Sequence, residues 1–137
     1  MDAQPDQTAR GRLRFGADRR LRRRADFQRV YRSGRKAHGR FAAIFCLPRE
    51  APTAPWRLGL TATRKTGSAV RRNRQRRRVR EFFRIRQARI PEGWDFVVNT
   101  KAAMNDATPE ALSRDLTRTL LRLGIERKPE AEAPLAD

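Results

Sequence analysis

Apolar positions along the chain change their period several times, and each change marks an element. In RRADFQRVYRSG, Phe27, Val30 and Tyr31 recur at i, i+3 and i+4 with Gly34 just beyond, which predicts a short helix stopped by glycine. RFAAIFCLP is apolar on both alternating faces, Phe41, Ala43, Phe45 and Leu47 against Ala42, Ile44 and Cys46, so it reads as a central, doubly covered strand. WRLGLTAT alternates Trp56, Leu58, Leu60 and Ala62 with Arg57, Gly59, Thr61 and Thr63, giving a strand with one core face and one wet face. Antiparallel pairing with the preceding strand, across the Pro-rich REAPTAP, is the simplest connection. From the N-cap Ser68, SAVRRNRQRRRVREFFRIRQARI predicts a helix of about six turns, with no Gly or Pro before Pro91.

That helix is lopsided. Val79, Phe82, Phe83 and Ile90 give its C-terminal half a core-facing stripe, whereas residues 71–78 hold nothing apolar. Burial cannot hold the first half, which is expected to lie in water or against an anion. DFVVN (95–99) reads as a short strand. Thr108, Pro109 and Glu110 supply an N-cap, an N1 proline and a first-turn acid for a helix carrying Leu112, Leu116, Leu120 and Leu123 before Gly124. The order helix, strands, helix, strand, helix predicts an α+β fold: a small β-sheet with helices packed on it.

Charge changes this picture most. The 137 residues include 33 Lys or Arg against 15 Asp or Glu, a net charge of +18, and only Lys36, Lys65, Lys101 and Lys128 are lysines. Residues 19–40 carry ten cations against Asp26, and residues 64–89 carry twelve against Glu81, while the rest of the chain is close to neutral. Such localisation predicts two basic surfaces on one small domain and a polyanionic partner. Arginine suits that partner, since its planar fork binds phosphate bidentately and stacks on bases. Residues 1–18 are polar and non-periodic, and ERKPEAEAPLAD (126–137) is rich in Pro, Ala and Glu. Both are expected to be mobile extensions flanking a domain at 19–125. The longest apolar run, Phe41 to Leu47, is too short to span a membrane. With no secretory h-region and the single Cys46, a cytoplasmic location is expected.

On a 3.6-residue helix, Arg72, Arg76 and Arg80 fall in one row beside Asn73 and Arg77. Like charges so spaced repel by tenths of a kcal/mol per pair, a cost that a polyphosphate offsets through counterion release. Asn73 adds a directional donor and acceptor among the cations. AVRRNRQRRRVRE (69–81) resembles the signature helix of the bacterial ribonuclease P protein family, close to A-V-x-R-N-R-x-K-R-x-x-R-E. Upstream, Leu21 with DFQRVYRSG is similar to the family's D/E-F-x-x-V-[FY]-x-x-G, and RLGLTATRKTGSAVRRNR resembles its strand, Lys-x-Gly-x-Ala-Val turn and helix. The resemblance spans residues 19–124.

The resemblance implies an α-β-β-β-α-β-α order with a left-handed βαβ crossover, and a further short strand near Arg35 to His38. It implies a role in endonucleolytic removal of the 5′ leader from precursor tRNA. The catalyst there is an RNA subunit holding Mg2+, with no catalytic residue in the protein. By motif position, Arg72, Asn73, Arg74, Arg76, Arg77 and Arg80 are expected to face the catalytic RNA. Phe27, Tyr31, Arg64 and Lys65 are expected at the single-stranded leader, where aromatics stack on bases. Phe27 and Tyr31 fit core positions equally well. Gln75 and Arg78 stand where the family often has Ile and Leu, which predicts a thinner interface with the sheet or stronger dependence on RNA.

Other chemistry is weakly signalled. His38 lies in a basic stretch and suits a surface position better than a general base, and Cys46, between apolar neighbours, reads as buried and inert. Gly67 suits the turn before the helix. No zinc spacing, P-loop or nucleophile elbow occurs. A ribosomal or other structural RNA-binding protein is the alternative. DNA binding ranks behind it because dimerising heptads are lacking, and no membrane partner is expected.

Overall fold

The computed structural model describes residues 16–125. Its main elements are α1 (Arg24–Ser33), β1 (Arg35–His38), β2 (Ala42–Pro48), β3 (Arg57–Thr61), α2 (Ala69–Ile85), β4 (Trp94–Thr100) and α3 (Pro109–Arg122), the α-β-β-β-α-β-α order. The strands form one mixed sheet in the order β1-β2-β4-β3. The mobile extensions expected at residues 1–18 and 126–137 lie, apart from residues 16–18, outside the described residues. Residues 17–19 form a short 3-10 turn, and Leu21 N–H donates to the Leu58 carbonyl at 2.9 Å, tying the segment before α1 to β3.

The expected hairpin between β2 and β3 does not form. β2 pairs antiparallel with β4, and β3 pairs parallel with β4, Leu58 opposite Phe96 and Leu60 opposite Val98. The physical reason lies in the two faces of each strand. β2 is apolar on both faces and β4 is buried on both from Asp95 to Val98, so pairing them puts both in the middle of the sheet, whereas β3, with Arg57 and Thr61 on one face, takes an edge. Parallel neighbours need a crossover, and α2 supplies it.

The sheet buries both faces unequally. Ala42, Ile44, Cys46, Leu58, Phe96 and Val98 pack under α2 and α3 against Val79, Phe82, Phe83, Leu112, Leu116 and Leu120. Trp56 and Phe83 sit 5.6 Å apart between ring centroids, and Phe83 and Phe96 5.7 Å, each fully buried. Burying such a side chain stabilises by about 1.5–3 kcal/mol. On the other face α1 lays Val30 over Val97 and Leu21, with Phe27, Phe45 and Leu47 at the rim. Thr108 caps α3 through Ala111 N–H at 3.1 Å, as its sequence predicts. α2 ends at Ile85, earlier than its gap-free sequence implies. The Gln87 side-chain amide takes the Arg84 carbonyl and the Trp56 indole takes the Gln87 carbonyl, so the next turn is satisfied without helix.

Candidate RNA interface

The arginine-rich half of α2 is held to the body by polar side chains, which corrects the expectation that this half lacks a buried anchor. Gln75 is 1% exposed. Its Nε2 donates to the Thr66 carbonyl at 3.0 Å and to Asn105 Oδ1 at 2.8 Å, while Oε1 accepts from the Thr100 hydroxyl at 2.7 Å. One amide thus joins α2 to β4 and to the two short turns flanking the helix crossover. Arg78 donates to the Met104 and Ala107 carbonyls at 2.7 and 2.6 Å, and burial together with Arg74 lowers its pKa from the ordinary guanidinium value. Ser68 caps the helix through Arg71 N–H at 3.3 Å.

These anchors leave the remaining cations outward. Asn73, Arg74 and Arg77 are exposed, and Arg72, Arg76 and Arg80 are half-buried. Asn73 Oδ1 accepts from Arg76 at 2.9 Å, and Arg74 reaches the Asn105 carbonyl at 3.3 Å. Arg80 has its pKa lowered by burial and then by Arg20, Arg76 and Arg77. Such a cationic cluster favours an anion.

Arg76 and Arg80 also form a wall of a groove of about 340 Å3 running along the outer edge of β3. Phe27, Leu21, Leu58 and Leu60 give it an apolar floor, and Arg20 and Arg22 line its other side. Phe27 reaches this position because residue 59 is glycine: a Cβ there would stand 2.5 Å from Phe27 Cζ. The structure therefore brings Phe27 together with Arg76 and Arg80, which the sequence reading assigned to separate surfaces.

Tyr31, Arg64 and Lys65 do not line that groove. Tyr31 is 37% exposed; its hydroxyl donates to Asn99 Oδ1 at 2.8 Å and lies 3.1 Å from Thr61 Oγ. Its ring meets Phe45 edge-on at 4.8 Å. Arg64 and Lys65 are exposed on the 3-10 turn Arg64–Thr66 that leads into α2. Arg20, Arg22, Leu58 and Leu60 were missed as site residues, although the two arginines belong to the first basic block. Also missed was Asp95, 1% exposed at its side chain, which accepts from Arg57 twice at 2.8 Å and from Arg29 at 2.9 Å. An acid opening an apolar strand was the available signal. His38 is exposed, and its carbonyl accepts from Arg122. Burial pushes the Cys46 thiol up, against the opposing pull of Arg35.

A family model described as Ribonuclease P matches residues 15–124. The chain belongs to the ribonuclease P protein family. It is 42% identical over 97 residues to the ribonuclease P protein component of Oleidesulfovibrio alaskensis, covering 71% of this chain and 75% of that one. The Gluconacetobacter diazotrophicus component is 40% identical over 112 residues, covering 80% and 96%. Among solved structures, the ribonuclease P protein of Thermotoga maritima superposes with a TM-score of 0.67 at 30% identity, covering 75% of this chain and 96% of that one. A Staphylococcus aureus ribonuclease P protein mutant does so with a TM-score of 0.72 at 26% identity, covering 88% and 96%. Membership in the ribonuclease P family places the protein in tRNA processing as an RNA-binding component of an endoribonuclease complex. The ribosomal or structural RNA-binding alternative is not favoured. No helix among the described residues is long and apolar enough to cross a membrane.

Proposed function

We propose that this ribonuclease P component binds a catalytic RNA subunit through the outward face of α2 and guides the 5′ leader of precursor tRNA along the β3-edge groove. The carrying observation is the shared wall: Arg76 and Arg80 belong both to the α2 cation row and to the groove that Phe27 floors. An unpaired strand needs cations for its backbone and a flat apolar surface for its bases, and this groove offers both. Arg72, Asn73, Arg74 and Arg77 are then left for the RNA subunit. Tyr31, Arg64 and Lys65 extend the leader path beyond the groove. The protein acts by binding and positioning, while the RNA subunit holds the Mg2+ and cleaves the phosphodiester. No group of three or more His, Cys, Asp or Glu able to hold a metal ion occurs among the described residues. The cytoplasm is the compartment proposed for this reaction.

The test is reconstitution of the full chain with its cognate catalytic RNA and precursor tRNA at physiological magnesium. Cleavage at the mature 5′ end should need the RNA, and the protein should lower the magnesium or substrate requirement. Processing by the protein alone, or no effect of adding it, would overturn the proposal.

A further inference from the structure

A second cationic surface lies on the opposite flank of α2, where α2 and α3 diverge. The valley between them begins at Arg77 and Arg78, passes the exposed Ile85, and reaches Arg86; this part encloses about 440 Å3. It continues over Arg86, Arg89, Arg114 and Arg118 for about 310 Å3 more, sharing Arg86 and Ser113 with the first part.

Among the described residues no acid lines the Arg114 end, and Glu81 is the one acid lining the Arg77 end. Glu81 is held by Arg84 at 3.0 Å, which keeps its carboxyl below the usual carboxylate range. Asp115, beside Arg114, turns the other way and accepts from the Arg40 and Phe41 N–H groups at 2.9 and 3.0 Å. Arg114 and Arg118 are therefore an exposed like-charged i, i+4 pair, the same repulsive arrangement that α2 carries. Arg86 is fixed at the centre: it donates to Ser113 Oγ at 2.6 Å and to the Phe82 carbonyl at 3.2 Å, with its guanidinium 4.1 Å from the Phe82 ring centroid. Ile85 and Leu121, 51% and 53% exposed, place apolar surface beside the cations.

We propose that this valley is a second anchor for the RNA subunit, in which Arg89, Arg114 and Arg118 contact phosphates on either side of the fixed Arg86. Charge selects a polyanion, and continuity selects which one: the valley starts at Arg77, on the face of α2 assigned to the RNA subunit, and leads away from the β3-edge groove assigned to the leader. The inference rests on that assignment.

The experiment measures binding of the full chain to the cognate RNA subunit across a salt series, with Arg89→Gln/Arg114→Gln/Arg118→Gln compared against Arg72→Gln/Asn73→Ala/Arg74→Gln. The valley variant should weaken binding at least about tenfold at moderate salt and lower the slope of log K against log salt by about two. Unchanged affinity and slope in the valley variant, with a loss in the α2 variant, overturns the second anchor and leaves the proposed function standing. Loss in neither overturns both. A valley variant that loses affinity for precursor tRNA but keeps it for the RNA subunit also overturns the proposal. To separate binding from folding, Leu121→Cys carrying an aryl azide should crosslink to the RNA subunit, and absence of a crosslink counts against the anchor.

Discussion

Gln75 shows how a single side chain decides the standing of a helix. A carboxamide offers two donors and two acceptor sites, and here its nitrogen serves the Thr66 carbonyl and Asn105 while its oxygen serves Thr100. Gln75→Leu removes the amide and leaves its buried partners unpaired, which costs about 1–3 kcal/mol. Urea unfolding should show that loss as a lower midpoint with an unchanged slope; an equal or higher midpoint would mean that the network contributes nothing net. Cys46 gives a pH signature of its own. Burial raises its pKa in the folded state, so its contribution is fully present below the ordinary thiol range and is lost as pH rises from the unfolded value toward the folded one. Alkylation at pH 8 should accordingly be slow in the native protein and fast in urea, and equal rates would contradict the burial.

At the scale of elements, α2 combines roles that normally fall to different helices. Val79, Phe82 and Phe83 fix its C-terminal half in the core, Gln75 and Arg78 fix its N-terminal half by hydrogen bonds, and the intervening arginines face outward on two flanks. The apolar stripe, the Ser68 cap and the unpaired cations were all legible in the sequence, because each is a local property of residue type and spacing. The polar anchoring was not, since a glutamine in a basic run looks the same whether its partners lie in water or in Thr66, Thr100 and Asn105. Strand order was hidden for a related reason: the period predicts that β2 is central, but not that β4 lies beside it or that β3 reaches β4 through a helix. The groove required that topology, as Phe27 and Arg76 meet only across β3. Gly59→Ala tests the meeting directly. The new methyl would displace the Phe27 ring. Leader affinity should fall several-fold with binding to the RNA subunit unchanged; a parallel loss of both would show that Phe27 does not separate the two roles.

At the scale of the whole molecule, the +18 charge sets opposing salt dependences for the free and bound protein. In the free protein, Arg20, Arg76, Arg77 and Arg80 crowd one another, and Arg114 and Arg118 share one face of α3 with no acid among the described residues lining their end of the valley. Counterions relieve that repulsion, and the main opposing pair, buried Asp95 with Arg57, is screened much less than exposed charges are. Raising salt should therefore raise the melting temperature of the free protein. RNA relieves the same repulsion by direct neutralisation, and binding at a hundred times Kd adds about 2.7 kcal/mol. For a domain of this size that corresponds to roughly 10 °C at low salt. Because counterion release drives the binding, this increment shrinks as salt rises, so the melting temperatures of free and bound protein should converge. Calorimetry of both species between low and high salt measures the convergence. A free protein whose melting temperature falls with salt would show that its ion pairs, and not its like-charge repulsion, dominate the electrostatics.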